Sequence, residues 1–262
     1  MKPSVICLLM TTLAAVAADR INIAEDEASH SAYNSGWGGG KNSGLGFGAW
    51  VLQIKGGGVA DSHAGFYVAD VGTQSDLDKT ASHGKALGLY ANGVEHEAAV
   101  GFRTLNQPLL PGDAFSLLME CEDFVTKYER DDDKPGVIGF ALRTGSASES
   151  WDEYEVGARM RFGFEQGETN YQVHDGEAST DTGVPMTPAG VAVTVLMVTP
   201  DTYDLEITNL ETGETTKLVG RKLAGETGKP IESFAIYNVD GERQDAYFNG
   251  FQVSRTAESI GR

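Results

Sequence analysis

The chain has 262 residues, a net charge of −18 at pH 7, and 33 glycines. Such an acidic surface repels phosphate backbones and anionic lipid headgroups, so neither nucleic acid nor membrane insertion is expected among its partners. No long segment repeats its apolar residues every 3.6 positions, which excludes a helical bundle.

The first eighteen residues read as a secretory signal peptide. Lys2 gives a short positive start, Val5 to Val16 is apolar apart from Thr11 and Thr12, and Ala15-Val16-Ala17-Ala18 offers small residues for cleavage before Asp19-Arg20. The stretch is too short for a permanent bilayer anchor. The competing reading is a buried N-terminal helix. Cys7 lies inside the apolar run without a lipoprotein context, so no lipid anchor is expected and the protein is read as secreted. Cys121 is then the one remaining cysteine and has no partner for an internal disulfide. It shares a strand face with Leu117, Met119 and Val125, which predicts a buried, inert thiol.

From residue 19 onward, short runs rich in Val, Phe, Tyr, Leu and Ile alternate with Gly, Asp, Asn and Pro. The pattern predicts strands at 47–54, 65–70, 86–91, 95–103, 114–126, 136–143, 154–164, 169–174, 190–199, 202–209, 213–220, 231–239 and 245–254. These make one all-β domain over 19–254, a two-sheet antiparallel β-sandwich, with a short tail at 255–262. A galactose-binding-like sandwich is the alternative arrangement. In 154–164, Tyr154, Val156, Ala158, Met160, Phe162 and Phe164 share one face, and Glu155, Gly157, Arg159, Arg161 and Gly163 the other. Trp50 alternates with Leu52 and Ile54 and is read as core. Strand 245–254 has an aromatic on each face, so it is expected to have neighbours on both sides, one of them an N-terminal strand from the 47–54 region or just before it, burying Trp50 between the sheets.

Several stretches resemble a known group: Tyr33-Asn-Ser-Gly-Trp37 leading to Gly44-Leu-Gly-Phe-Gly-Ala-Trp50, Leu87-Gly-Leu-Tyr-Ala-Asn92, Asn170-Tyr-Gln-Val-His-Asp175 with Asp181-Thr-Gly183, and Asp245-Ala-Tyr-Phe-Asn249. They resemble uncharacterised secreted bacterial proteins, many with a C-terminal Pro-Glu-Pro sorting tail, that look like concanavalin A-like lectin/glucanase sandwiches (a jelly roll). The resemblance implies a fold and carries no activity. The chain as read to Arg262 has no such tail, so anchoring by that route is not expected.

Candidate chemistry is sparse. Gly44-x-Gly46-x-Gly48 leads into a strand where a phosphate loop needs a helix, so it is read as turn and bulge. The five histidines have no metal-binding spacing, and no Gly-x-Ser-x-Gly elbow occurs. A glycosidase of this architecture needs paired carboxylates on a strand, and Glu153 with Glu155 is the nearest match. An intervening Asp is missing, and Arg159 and Arg161 continue the same face, so a solvated strand of mixed charge explains the run equally. Calcium is a possible cofactor at Asp131, Asp132 and Asp133, with Asp70, Asp76 and Asp78, or Asp175 and Asp181, as further acidic loops. Trp37 and Trp151 lie in loop-like contexts and are the expected sugar-stacking residues. The functional expectation is a non-catalytic glycan- or surface-recognition module. A structural protein of the envelope or matrix is the second reading, and a polysaccharide hydrolase using paired carboxylates the third.

Overall fold

The computed structural model describes residues 19–56, 62–71, 77, 79–93, 96–121, 135–241 and 244–257. The signal segment, Asp76, Asp78 and the Asp131–Asp133 run lie outside the described residues.

Two antiparallel sheets hold the chain. The first contains β1 (Arg20–Asp26), β3 (His63–Asp70), β4 (Lys85–Asn92), β6 (Ala114–Cys121), β11 (Val191–Thr199), β12 (Thr202–Asn209), β13 (Thr215–Lys222) and β15 (Ala246–Thr256). Its order is β13-β12-β11-β6-β15-β4-β3, with β1 also on β15. The second contains β2 (Val51–Lys55), β5 (Ala98–Leu109), β7 (Val137–Arg143), β8 (Ala158–Glu165), β9 (Asn170–Asp175), β10 (Ala178–Pro185) and β14 (Ile231–Val239). Its order is β10-β9-β8-β7-β14-β5-β2. Alternate residues of both sheets point into one shared core, where Phe115, Leu117 and Met119 of β6 belong to the same buried cluster as Phe140, Phe162 and Phe234 of the second sheet. The predicted β-sandwich is therefore the observed architecture, and Cys121 is buried as expected.

Strand β15 has neighbours on both sides, but the expected partner was misplaced. β2 pairs with β5, and the N-terminal segment alongside β15 is β1, from Arg20 opposite Thr256 to Asp26 opposite Phe251. β4 flanks the earlier part of β15, opposite Ala246 to Phe248. At the junction between β1 and β4, buried Asn249 accepts from the Ala28 amide (2.9 Å) and donates to the carbonyls of Thr80 (3.1 Å) and Lys85 (2.9 Å). Trp50 is in the core as predicted, its ring 5.6 Å from Phe234 and 5.5 Å from Phe251, one on each sheet.

A buried charge cluster fixes the loop that follows β1. Arg103 of β5 pairs with Asp26, and neither side chain is exposed. Asp26 also accepts from Ser43 and from the Tyr33 hydroxyl, which in turn accepts from the Trp50 indole at 2.8 Å. Three more Arg103 donors go to the Gly48 carbonyl (2.7 Å), Asn42 Oδ1 (2.9 Å) and the Ser43 carbonyl (2.9 Å), so four of its five N–H groups are used.

The strand predicted at 154–164 begins only at Ala158. Trp151–Tyr154 is a 3₁₀ turn, and Gly157 sits at φ +73°, where the chain reverses into β8. The apparent alternation of Tyr154 and Val156 thus belongs to a loop. That loop is held against the second sheet by Arg143, which donates to the carbonyls of Glu153 (3.1 Å) and Val156 (2.9 Å).

Candidate functional site

Met160, Phe162 and Phe164 of β8 and Tyr171 and Val173 of β9 enter the core, so Arg161, Gly163, Glu165, Gln172 and His174 stand on the outer face of the second sheet. Strand register extends this face sideways in rows. One row runs Ala235, Ala141, Arg161, His174, and the next runs Tyr237, Gly139, Gly163, Gln172. Small residues therefore occupy the middle of the face and polar ones its β8–β9 side. The Gly139–Gly163 pair is required by the close approach of β7 and β8: a Cβ on Gly163 would lie 2.1 Å from the Ile138 carbonyl oxygen. A Cβ on Gly139 would also lie 3.0 Å from the Tyr237 hydroxyl, so the phenol reaches out over the glycine.

The 3₁₀-turn loop forms a step beside this floor. Its Tyr154 ring packs 4.5 Å from that of Tyr237, and Glu155 reaches across to pair with Arg161. On the other side Glu165 pairs with His174, both partly buried. Arg161, Glu165, His174 and Tyr237 border a hollow of about 10 Å³, room for a single water or hydroxyl.

The electrostatics suit binding more than proton transfer. The hydrogen bond from His174 holds the Glu165 carboxyl below its ordinary range, outweighing the opposing effect of burial, so Glu165 is an ionised acceptor at neutral pH. Burial pushes the phenols of Tyr154 and Tyr237 well up, keeping both protonated. A general acid for glycoside cleavage needs the opposite carboxyl shift.

The residues singled out in the sequence fall differently. Glu153 and Glu155 do not form a facing pair on a strand: Glu153 accepts from Ser148, whereas Glu155 pairs with Arg161. Arg159, expected to share their solvated face, is buried and bonds Asp201 Oδ1 at 2.8 Å. Trp151 is half-buried, with His96 packed edge-on at 5.2 Å and the Lys55 ammonium 4.8 Å over its ring. Trp37 is 5% exposed and packs edge-on against Trp50 (5.2 Å) and Phe66 (5.1 Å). Asp175 accepts from Tyr203 (2.6 Å) and from Arg221 (2.6 and 2.9 Å), and Asp181 accepts from Asn170 and the Gly183 amide. Asp70 stands opposite Lys85 across the β3–β4 ladder. Among the described residues no group of three or more His, Cys, Asp or Glu is arranged to hold a metal ion, and no helix is long and apolar enough to cross a membrane.

No family model matches the chain, and no curated protein does. Among solved structures, a carbohydrate esterase from Shiga toxin-encoding bacteriophage phi24B is 10% identical, with 79% of this chain and 90% of that one covered at a TM-score of 0.46. The CBM2 module of the evolved Dit protein from Lactobacillus casei BL23 phage J-1 is 9% identical, covering 91% and 97% at 0.45. The lectin UEA-II, complexed with galactose, is 8% identical, covering 78% and 93% at 0.38. These are distant likenesses of sandwich shape.

Proposed function

We propose that the protein is an exported, non-catalytic module that recognises a neutral carbohydrate through the outer face of its second sheet. The observation that carries this reading is the hydroxyl-sized hollow bordered by Arg161, Glu165, His174 and Tyr237. Guanidinium, carboxylate and phenol together supply donors and acceptors in the alternation that vicinal sugar hydroxyls present, beside a flat aromatic step at Tyr154. The ionised Glu165 supplies an acceptor for sugar hydroxyls, and the layout of residues 1–18 supports export.

Titration calorimetry against a panel of neutral oligosaccharides tests the reading. At least one glycan is expected to bind, and Arg161→Ala and Glu165→Gln are each expected to weaken it about tenfold, the loss of one charge-assisted hydrogen bond. Both variants should melt within a few degrees of the wild type. Binding unchanged in both variants, or a panel without a single binder, would overturn the assignment.

A further inference from the structure

A larger recess lies far from that face, along the free edge of the first sheet. Among the described residues β3 ends the strand order and pairs only with β4. Beside its outer edge the loop after β1 encloses a cleft of about 500 Å³, walled by Tyr33, Trp37, Phe66, Tyr67 and Lys41. That is within the range of small-molecule sites, and its wall combines four aromatic rings with the polar side chains of Asn34, Ser35, Lys41, Asp70 and Lys85.

Two donors at the cleft, on Trp37 and Lys41, have N–H groups to spare. The Trp37 indole N–H is buried and makes no hydrogen bond, an arrangement that ordinarily costs about 1–3 kcal/mol and calls for a partner. The Lys41 ammonium has three N–H groups. Two go to the Ala32 carbonyl (3.1 Å) and Ser35 Oγ (2.7 Å). Among the described residues no carboxylate pairs with it, in a chain where acidic residues outnumber basic ones by 38 to 20. Lys85 and Asp70 also line the cleft and stand opposite each other in the β3–β4 ladder, so the cleft holds two cations and one carboxylate. The surrounding loop is not free to collapse onto these donors. Tyr33 is tied into the Asp26–Arg103 cluster, and the Gly40 amide and Lys41 carbonyl are bonded to the backbone of Trp50 at 2.8 and 2.9 Å.

We infer that this cleft is a second ligand site, selective for a sugar bearing a carboxylate, a uronic acid residue. The carboxylate takes the spare Lys41 N–H and the pyranose body lies against the aromatic wall, with the indole N–H as a further donor. The protein's net charge of −18 gives no long-range attraction to an anion, so selectivity comes from these short contacts alone.

Trigalacturonate and the neutral galactotriose are the probes, read by tryptophan fluorescence, since Trp37 packs against Trp50. Trigalacturonate is expected to bind at least tenfold tighter than galactotriose. Lys41→Met should abolish that preference, and Trp37→Phe, which keeps a ring but removes the N–H, should weaken the acidic sugar several-fold. Lys41→Gln, which can still bond the Ala32 carbonyl, serves as the charge-removing variant if Lys41→Met melts early. Arg161→Ala, on the other sheet, should leave trigalacturonate binding unchanged, so this site and the neutral-sugar face fail or stand separately. Equal affinity for the two trisaccharides, no binding of trigalacturonate, or full selectivity retained in Lys41→Gln would overturn the inference.

Discussion

Asp26 is the residue on which most of the N-terminal architecture converges. Its carboxylate neutralises Arg103, whose guanidinium lies 4.9 Å from the Phe47 ring and 5.0 Å from the Trp50 ring, and it accepts from Tyr33 and Ser43. Replacing both ions with apolar groups of matching shape can be nearly neutral, but removing one partner strands the other charge in the core. Asp26→Ala is therefore expected to cost about 3–5 kcal/mol, read as a lowered urea midpoint at unchanged slope. A loss below about 1 kcal/mol would mean that water reaches Arg103 and the cluster is not closed. The cluster could not be read from the sequence, because Asp26 and Arg103 lie in unrelated stretches. Trp50, by contrast, was legible as core from its alternation with Leu52, since strand periodicity is a local signal. The burial of Trp37 was not legible: its glycine-rich context looks like an exposed loop, and only the packing of that loop over Phe66 buries it.

At the scale of elements, most strands were legible, the edge strands β2, β3 and β13 among them, and β1 and β10 were not. The 202–209 and 231–239 runs coincide with β12 and β14, whose buried alternation is strong. β10 escaped because its sequence, Ala-Ser-Thr-Asp-Thr-Gly-Val-Pro, is largely exposed beside a single partner. β1 escaped because its partner is the last strand, a pairing with no local trace. The candidate face was half legible. His174 and Arg161 lay on predicted strands, but the step provided by Tyr154 and Glu155 depends on Arg143, whose contacts turn an apparent strand into a loop. Arg143 is itself buried over the Phe102 ring at 4.9 Å. Arg143→Met keeps that packing while removing its hydrogen bonds to the carbonyls of Glu153 and Val156. The expected result is new protease cleavage within residues 150–157, with a melting temperature lowered by roughly 2–8 °C, equivalent to 1–2 kcal/mol. If that loop stays uncut, its attachment rests on the aromatic stacking of Tyr154 instead.

For the whole molecule, the two proposed sites lie on different sheets, one on the outer face around β8 and the other at the β3 edge, so each can be occupied without the other. The sandwich that holds them apart is joined late in the chain. β15 separates β6 from β4 and β1 in the first sheet, and its Ser254 hydroxyl accepts from Arg20, 234 residues earlier. As the chain emerges from the ribosome, the β3–β4 hairpin and the β13-β12-β11-β6 group therefore have no common neighbour until the final strand is made. Both wait with an open edge, and the closing contact carries the largest loop entropy in the fold. Refolding should accordingly be slow, with the backbone amides of β1, β4 and β15 gaining hydrogen-exchange protection together in one late phase. Protection of β1 before β15 in a pulse-labelling experiment would rule this order out. For a chain exported as proposed above, the delay is an advantage: a sheet that cannot close until its last strand exists stays open while the chain is being moved.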